Sequence, residues 1–331
     1  MFLQVLRFSN RSIKCVTRVQ RCLLSTHDAS GNSSYENYDK TSQTYDQYRS
    51  PIDLSTFRKA FNDVANRLQK KTTSLTLLDA GCGSGNYLEC FQQEVGTIHG
   101  LEINDGMISK ARAKLPNANI QQGSITEIPL EDEAVDVVIT TQVLHHLETG
   151  KDQTFSNVVL ASKEVFRCLK PGGAWVIQTQ TPEQHVEGFW WAPLIPNAAN
   201  KLATHFAPLD TLKSICRNAG FHTFTSNVPN EPLVRMDKYL DLEGPFLKGY
   251  RDADSTWSLA TEDELEKGLK ILRQKIDAGL AEGWMEEREA LRKKIGQTTT
   301  VVVTKNVGET RRSKFPFSRS LSFSSQQKKI K

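Results

Sequence analysis

Three glycines at alternate positions, Gly81, Gly83 and Gly85, separate an apolar run from a helix-like stretch in LTLLDAGCGSGNYLE, residues 75–89. Glycine has no side chain, so a turn built from it lets the backbone approach a bound nucleotide closely. A dinucleotide-binding turn has the pattern G-x-G-x-x-G, but Asn86 stands where that pattern needs its third glycine. The spacing therefore indicates a nucleotide-type cofactor and disfavours an NAD-dependent oxidoreductase.

Two acidic residues near this turn narrow the choice of cofactor. Asp79 comes two residues before the first glycine, and Glu102 ends the next strand-like stretch, GTIHGLE. A carboxylate at the position of Asp79 repels a pyrophosphate and attracts a cationic amine. An acid at the end of a second strand can accept hydrogen bonds from both ribose hydroxyls. The pair therefore indicates a cofactor that carries a ribose and a cationic group.

These residues lie in a chain whose strand and helix patterns alternate. The patterns predict strands at 74–80, 96–102, 118–122, 134–140, 174–180, 221–226 and 298–305, with a loop-like stretch at 231–257. Asn104 is a predicted N-cap of the helix after the second strand, and Thr261 with Glu264 predicts a capping box. Alternating strands and helices are typical of an α/β fold, in which helices cover both faces of a parallel sheet.

Several segments together resemble the class I S-adenosylmethionine-dependent methyltransferases, and in particular the branch that includes the ubiquinone and menaquinone C-methyltransferases. They are LLDAGCGSGNYLE, GLEIND, GSITEIPLEDEAVDVVITTQVLHHL and LKPGG; the resemblance covers roughly residues 35–180, then LDTLKSICRNAGF and the last strand. It implies a Rossmann-like seven-stranded sheet, parallel with an antiparallel last strand, with helices on both faces and a helical insertion before the last strand. The methyltransferase domain would span residues 31–305, with insertions at about 181–209 and 231–297.

The resemblance also implies roles for individual residues toward S-adenosylmethionine. The three glycines would let the backbone approach its methionine part, Asp79 would lie near its ammonium group, and Glu102 would hold the ribose. The remaining predicted cofactor residues are Ile103, Ser124 and Ile125 near the adenine, and Thr140, through its carbonyl group, near the methionine amino group. Relatives commonly have Asp where Ser124 stands, and a serine hydroxyl accepts a hydrogen bond more weakly than a carboxylate does.

The residues that would bind the methyl acceptor are less clearly marked. Methyl transfer from a sulfonium needs positioning more than proton transfer, so a catalytic base is not required. His145 and His146, which follow the fourth strand, are candidates for such a base, with structural packing as the competing interpretation. Tyr45, Trp190 and Trp191 are candidates for an acceptor pocket, with a plain hydrophobic cluster as the alternative for the two tryptophans.

The end of the fourth strand and the cysteine content argue against some acceptor classes. Amino methyltransferases that act on nucleobases or glutamine have an Asn/Asp-Pro-Pro-Tyr stretch where this chain has TTQV. Arsenite methylation requires several cysteines beyond the glycine turn, where Cys90, Cys168 and Cys216 stand, so it is a minor alternative. The six cysteines follow no metal or disulfide spacing, and no metal site is predicted. An unidentified small-molecule acceptor is therefore the favoured prediction.

Charge is distributed unevenly along the chain. Residues 1–30 hold five basic residues and one acidic residue, and residues 305–331 hold eight basic residues and one acidic residue. Residues 31–304 therefore hold 29 basic and 36 acidic residues, a net charge of −7. A basic surface that follows a nucleic-acid backbone is not indicated there. The Ser-rich basic tail, residues 306–331, is predicted to be disordered.

The leader, residues 1–30, has the composition of a mitochondrial transit peptide, because its arginines alternate with apolar and hydroxyl residues and its single acid is Asp28. The mitochondrial matrix is the expected location, ahead of the cytoplasm. No apolar stretch is long enough to span a membrane, and peripheral membrane contact is an alternative that the sequence leaves open. Two functions remain open: S-adenosylmethionine-dependent methyl transfer to a small molecule, and a methyltransferase-like non-catalytic assembly or regulatory protein. The intact Asp79, glycines and Glu102 favour the enzyme.

Deleting residues 1–30 tests the targeting prediction. We expect a fluorescent fusion of the full chain to enter mitochondria and the truncated fusion to remain in the cytoplasm, because the arginine-rich leader is the predicted address. Imaging of both fusions in the same cells is the measurement. Unchanged mitochondrial import of the truncated fusion would contradict the prediction.

Overall fold

A seven-stranded sheet lies at the centre of the chain in a computed structural model, which describes residues 45–148, 150 and 153–308. The strands are β1 (Thr76–Ala80), β2 (Thr97–Glu102), β3 (Asn119–Gln122), β4 (Val135–Thr141), β5 (Leu169–Thr179), β6 (Thr223–Asn227) and β7 (Thr299–Thr304). Their order across the sheet is β3-β2-β1-β4-β5-β7-β6, and β7 runs antiparallel to both of its neighbours while the other pairs are parallel. The predicted parallel sheet with an antiparallel last strand is confirmed.

Helices fill the connections between the strands. They are α1 (Tyr45–Tyr48), α2 (Leu54–Leu68), α3 (Asn86–Phe91), α4 (Asp105–Lys114), α5 (Ser156–Cys168), α6 (Pro182–Glu187), α7 (Pro196–Ala203), α8 (Leu209–Ala219), α9 (Met236–Tyr239), α10 (Lys248–Arg251), α11 (Ser255–Ser258), α12 (Glu262–Asp277) and α13 (Ala281–Ile295). Short 3-10 helices occur at Thr72–Ser74, Leu144–Leu147, Ala192–Leu194 and Gly244–Phe246. The predicted leader and nearly all of the basic tail lie outside the described residues.

Consecutive residues of the central strands pack on opposite faces of the sheet. Leu77 and Val137 belong to one core cluster, which includes buried side chains of α2 and α3. Leu78 and Val138 belong to a second cluster, which includes buried side chains of α5 and α8. Because side chains alternate along a strand, strands covered on both faces need continuous apolar runs. The apolar stretches of β1 and β4 meet this requirement.

The order of strands reverses between β1 and β4, since β1 continues toward β2 and β4 continues toward β5. In an open α/β sheet the carboxyl ends of the two strands at such a switch point leave a crevice that binds ligands. The glycine turn follows β1 directly, and Gln142 follows β4 directly. The topology therefore brings the predicted cofactor turn and the segment after the fourth strand to the same crevice.

The two insertions pack together in a third hydrophobic cluster. Trp190 and Trp191 from the first insertion lie against Tyr239, Tyr250 and Trp257 from the second, and all five are buried. The stretch 231–257 contains several short helices, so the prediction of a loop there was wrong. Aromatic side chains at irregular spacing bury a large apolar area without producing a periodic pattern.

Two predicted helix caps gave different outcomes. The Asn104 side chain accepts a hydrogen bond from the Met107 N–H at 3.0 Å, so its predicted capping role is confirmed. Thr261 likewise accepts from the Glu264 N–H at 3.2 Å. The carboxylate of Glu264, however, accepts hydrogen bonds from the Asn197 N–H at 2.6 Å and the adjacent Ala198 N–H at 3.3 Å. Glu264 thus caps the N-terminus of α7 and does not complete a capping box on its own helix.

Replacing Glu264 with Ala should weaken the attachment of α12 to α7. We expect the free energy of unfolding to fall by about 1–2 kcal/mol, because α7 loses its N-terminal acceptor and a favourable charge near its positive end. Urea denaturation of Glu264→Ala measures this, with Glu266→Ala as the control, since Glu266 is exposed on the same helix. Equal stabilities of the two variants would contradict the assignment.

Candidate functional site

The glycine turn has a backbone conformation that few other residues adopt. Gly81, Gly83 and Gly85 have φ angles of 89°, 52° and 84°, in the left-handed region. A Cβ atom on Gly81 would collide with the side chain of Val143, whereas one on Gly83 would meet no atom within 4 Å. Gly81 thus allows the turn to pack against the segment after β4, and Gly83 leaves open space beside the turn.

Glu102 fixes this turn to the end of β2. Its carboxylate accepts hydrogen bonds from the backbone N–H groups of Gly83 at 2.9 Å, Ile103 at 2.8 Å and Asn104 at 3.0 Å. Burial raises the pKa of Glu102, and these three bonds oppose the rise without cancelling it. Within the described residues, its Oε2 accepts one of the bonds, which leaves a lone pair for a further donor such as a ribose hydroxyl.

Asp79 is a buried acid of the site with an incompletely hydrogen-bonded carboxylate. Its side chain is 1% exposed, and its Oδ1 atom has no hydrogen-bond partner among the described residues. Burial raises the pKa of Asp79 well above its ordinary value, and the neighbouring charge of Glu102 raises it further. A buried carboxylate in this state becomes stable as an anion when a cation or hydrogen-bond donor binds beside it.

A cavity opens beside the turn; we call it the glycine-turn cavity. It encloses about 500 Å³ including its mouth, and its lining includes Gly81, Gly83, Ser84, Tyr87, Thr141, Gln142, Gln178, Arg49 and Leu233. Sequence reasoning missed Tyr87, whose hydroxyl donates to the Gln178 side chain at 2.9 Å and thereby joins α3 to the end of β5. Its position on the first turn of the helix after the glycines was the available signal.

The predicted cofactor residues Ile103, Ser124, Ile125 and Thr140 do not line this cavity. Ile103 is half-buried beyond the end of β2, and Ile125 is buried in the core. The Ser124 hydroxyl lies 2.8 Å from that of Thr126, so a local turn already engages it. The Thr140 side chain accepts from the Trp175 indole at 2.9 Å, and the residues after it, Thr141 and Gln142, reach the cavity. The structure therefore brings together the glycines and Glu102, while the predicted adenine contacts remain predictions.

The segment from α1 to α2 covers the glycine turn. Asp46 accepts from the Ser84 hydroxyl at 2.6 Å and from the Asn86 side chain at 3.0 Å, and it pairs with Lys114 at 3.1 Å. Burial raises the pKa of Asp46, but these hydrogen bonds and the lysine outweigh it and hold the pKa below its ordinary value. The side chain of Tyr45, a predicted pocket residue, lies outside the described part of the structure.

Arg49 in the same segment reaches the second insertion. Its guanidinium pairs with Asp254 at 3.0 Å and donates to the Ala253 carbonyl group at 3.1 Å. Asp254 also accepts from the N–H and hydroxyl of Thr256, at 3.0 and 2.6 Å. The segment is thus attached to the glycine turn through Asp46 and to the insertion through Arg49.

A second cavity lies next to the first; we call it the histidine cavity. It encloses about 480 Å³ including its mouth, and its lining includes His145, His146, His185, Gln142, Gln180, Phe206, Asp254, Arg49 and Leu233. The two cavities share Arg49, Gln142 and Leu233 as walls. Both predicted histidines therefore face the space adjoining the glycine-turn cavity.

Two histidines of this cavity, His145 and His185, have pKa values below the ordinary range. His145 is buried and stacks on Phe206 with ring centroids 4.5 Å apart. Burial lowers its pKa well below the ordinary value, and nearby basic groups lower it further. Burial also lowers the pKa of His185 to about 4, and its Nδ1 atom lies 2.7 Å from the Gln180 side-chain oxygen. Neutral imidazoles can donate or accept hydrogen bonds, but groups of such low pKa are weak bases.

Gln142 is a site residue that the sequence analysis did not identify. Its φ angle is 55°, an uncommon conformation for a residue other than glycine, and its N–H donates to the Gln178 carbonyl group at 2.8 Å. Its side-chain Nε2 atom is buried with no hydrogen-bond partner among the described residues. Strained backbone and an unpartnered polar group often mark functional positions. The signal in the sequence was its place directly after the fourth strand.

Trp190 and Trp191 are placed differently from the predicted pocket wall. Both are buried in the third cluster, and neither lines the two cavities described above. The Trp190 N–H donates to the Tyr239 hydroxyl at 3.1 Å, and the rings of Trp191 and Trp257 lie 5.0 Å apart. Their placement corresponds to the alternative, a hydrophobic cluster that supports the insertions.

Two searches of the described residues were negative. They contain no group of three or more His, Cys, Asp or Glu residues arranged to hold a metal ion. None of the described helices is both long and apolar enough to cross a membrane.

Comparison with known proteins agrees with this geometry. A family model for a methyltransferase domain matches residues 78–177. A "Probable S-adenosylmethionine-dependent methyltransferase" of Mycolicibacterium smegmatis is 32% identical over 116 residues, which are 35% of this chain and 42% of that protein. The dTDP-3-amino-3,4,6-trideoxy-alpha-D-glucopyranose N,N-dimethyltransferase of Streptomyces venezuelae is 26% identical over 181 residues, 50% of this chain and 74% of that protein. The chain thus spans less than half the length of the first of these relatives.

The fold also has a counterpart among solved structures. A candidate methyltransferase from an antibiotic biosynthesis pathway of Anabaena variabilis superposes with a TM-score of 0.60 at 20% identity, covering 74% of this chain and 96% of that chain. Because the sequence identity is only 20%, this similarity is evidence for the fold alone.

Replacing Asp79 with Asn should stabilise the protein in the absence of ligands. Asp79 has a raised pKa when folded, so its favourable contribution is present at low pH and is lost as the pH rises through that pKa. An uncharged amide avoids this loss. We expect a melting temperature about 2–4 °C higher, which corresponds to roughly 1 kcal/mol in a domain of this size.

Calorimetric melting of the wild type and Asp79→Asn from about pH 5 to about pH 8 tests this expectation, and the difference should grow with pH. Asp105→Asn is the control, because Asp105 is exposed at the start of α4. A melting temperature that falls in Asp79→Asn at every pH would show that the carboxylate has a stabilising partner.

Proposed function

Because residues 78–177 belong to the class I S-adenosylmethionine-dependent methyltransferases, we propose that this chain transfers a methyl group from S-adenosylmethionine to a small-molecule acceptor. The cofactor would occupy the glycine-turn cavity, and the acceptor would occupy the histidine cavity. The observation that carries the proposal is the unpartnered, buried carboxylate oxygen of Asp79 beside the glycine turn.

The residues present suit this cofactor. The turn offers backbone and open space at Gly83, where a side chain would otherwise intrude. Asp79 offers an anion to an ammonium group, and Glu102 has a remaining lone pair for a ribose hydroxyl. When bound, S-adenosylmethionine supplies a methyl group on a positively charged sulfur atom. We further propose the predicted contacts of Ile103, Ser124, Ile125 and Thr140 as its surroundings.

The chain's own groups would act mainly by positioning. Arg49, Gln142 and Leu233 line both cavities, so an acceptor in the histidine cavity would lie against the same walls as the cofactor. Holding two reactants in contact and excluding water can supply a large part of the rate enhancement of a bimolecular reaction. His145 would orient the acceptor through a neutral imidazole, His146 lines the same cavity, and a role as a strong base is not required.

The proposed location is the mitochondrial matrix. It rests on the composition of residues 1–30, since the leader lies outside the described residues.

Cofactor binding provides the test. We expect calorimetric titration of the full chain to show binding of S-adenosylmethionine and S-adenosylhomocysteine, and no binding of NAD. Affinity should decrease as the pH is lowered, because protonation of Asp79 removes the charge that attracts the ammonium group. The decrease should begin at a higher pH than for an ordinary aspartate, since the pKa of Asp79 is raised.

Asp79→Asn should bind both sulfur compounds about tenfold or more weakly, with most of the pH dependence gone. Its melting curve, measured in parallel, separates a lost contact from a lost fold. Failure of the folded wild-type protein to bind either compound would overturn the enzyme in favour of the non-catalytic assembly or regulatory protein, and binding of NAD would favour an oxidoreductase.

A further inference from the structure

Two residues that line the histidine cavity each carry a buried polar atom without a hydrogen-bond partner among the described residues. The atoms are Nε2 of Gln142 and Nδ1 of His145. Buried polar groups are nearly always hydrogen-bonded, so a pair left without partners at one cavity indicates a ligand that supplies them. An amide nitrogen is a donor only, and the ligand atom it requires is therefore an acceptor such as oxygen.

Arg49 places a permanent positive charge at the wall of this cavity. This charge attracts an anionic ligand and repels an ammonium group, and its pairing with Asp254 offsets part of the effect. The buried His145 and His185 have lowered pKa values, so they contribute hydrogen-bonding groups and no permanent charge.

The carboxylate of this cavity is already engaged. Asp254 pairs with Arg49 at 3.0 Å and accepts two hydrogen bonds from Thr256. An ammonium acceptor would have to compete with the guanidinium for this carboxylate. Among the described residues that line this cavity, those with a buried side-chain N or O atom lacking a hydrogen-bond partner are Gln142 and His145.

We propose that the methyl acceptor is a small-molecule carboxylate, held by the Gln142 amide and the His145 imidazole, and that the product is a methyl ester. This inference rests on the proposed function. A neutral imidazole with hydrogen on Nδ1 and the amide N–H groups can both donate to carboxylate oxygens, which accept several hydrogen bonds. Both unpartnered atoms then acquire partners.

The reaction balances without an acid or a base. A lone pair of the carboxylate oxygen forms the new oxygen–carbon bond, and the carbon–sulfur bond of the sulfonium breaks with its electron pair remaining on sulfur. The negative charge of the carboxylate and the positive charge of the sulfonium disappear together, and no proton is transferred. An alcohol or a phenol would have to lose a proton, for which an imidazole of low pKa is a poor acceptor. The weak basicity of the cavity therefore agrees with a carboxylate.

Matched probes test the acceptor class on the full-length wild-type protein. We would titrate benzoate, phenol and benzylamine, and then hexanoate, hexanol and hexylamine, in the presence of saturating S-adenosylhomocysteine. We expect each carboxylate to bind about tenfold or more tightly than its neutral and amine analogues, a difference of about 1.4 kcal/mol. Incubation of hexanoate or benzoate with S-adenosylmethionine should yield the methyl ester, detected by mass spectrometry.

A charge variant locates the binding site. Gln142→Glu retains the side-chain shape but places an anion beside the ligand, and it should weaken carboxylate binding about tenfold or more. Gln274→Glu is the matched control, because Gln274 is exposed on α12. If Gln142→Glu does not fold, His145→Phe removes the imidazole while retaining a ring to stack on Phe206, and it should also weaken binding.

The outcomes separate the two proposals. If S-adenosylhomocysteine does not bind to the folded protein, the proposed function fails and this inference fails with it. If S-adenosylhomocysteine binds but the amines or neutral probes bind as tightly as the carboxylates, or no carboxylate binds, only the carboxylate assignment is overturned. Carboxylate binding that survives both Gln142→Glu and His145→Phe would overturn the assigned position.

Discussion

The site is built around two carboxylates near the carboxyl ends of the neighbouring strands β1 and β2, an arrangement that like charges disfavour. Glu102 is stabilised by three backbone N–H groups, and one of these belongs to Gly83, so the carboxylate also sets the conformation of the glycine turn. The Oδ1 atom of Asp79 has no such support among the described residues. This asymmetry leaves Asp79 as the group whose charge depends on what binds beside it.

The segment from α1 to α2 contacts both the glycine turn and the second insertion. Asp46 is held over the glycine turn by Ser84, while Arg49, three residues later, is held by Asp254 of the second insertion. Arg49, Gln142 and Leu233 line both cavities, so a substitution at any of them alters the lining of both. Any coupling between the two ligands would be reciprocal, because each would alter the affinity of the other by the same factor.

The sequence predicted those features that depend on local patterns. The strands, the glycine turn and the Asn104 cap follow from apolar periodicity and from residue preferences, and the structure contains all of them. The histidine cavity could not be predicted in this way, because it forms between residues far apart in sequence, such as Arg49 and Asp254. The size and apolar character of Trp190 and Trp191 indicated that they would be buried in a cluster or line a pocket. Their packing partners lie in the second insertion, far away in sequence, so only the folded structure shows that they belong to the core.

The position of the second insertion between β6 and β7 has an evolutionary consequence. Because β7 runs antiparallel to both β5 and β6, the chain leaves β6 and returns to β7 at the edge where β1 and β4 also end. The intervening stretch supplies Leu233, Ala253, Asp254 and Ser255 to the histidine cavity, while the hydrogen-bond ladders of the sheet end before it begins. The stretch lies outside the strands, so its substitutions need not alter strand register, although its buried aromatic residues pack against the first insertion. Changes in this insertion can therefore alter one part of the histidine-cavity wall during evolution, while Gln142 and His145, which follow β4, remain positioned by the sheet.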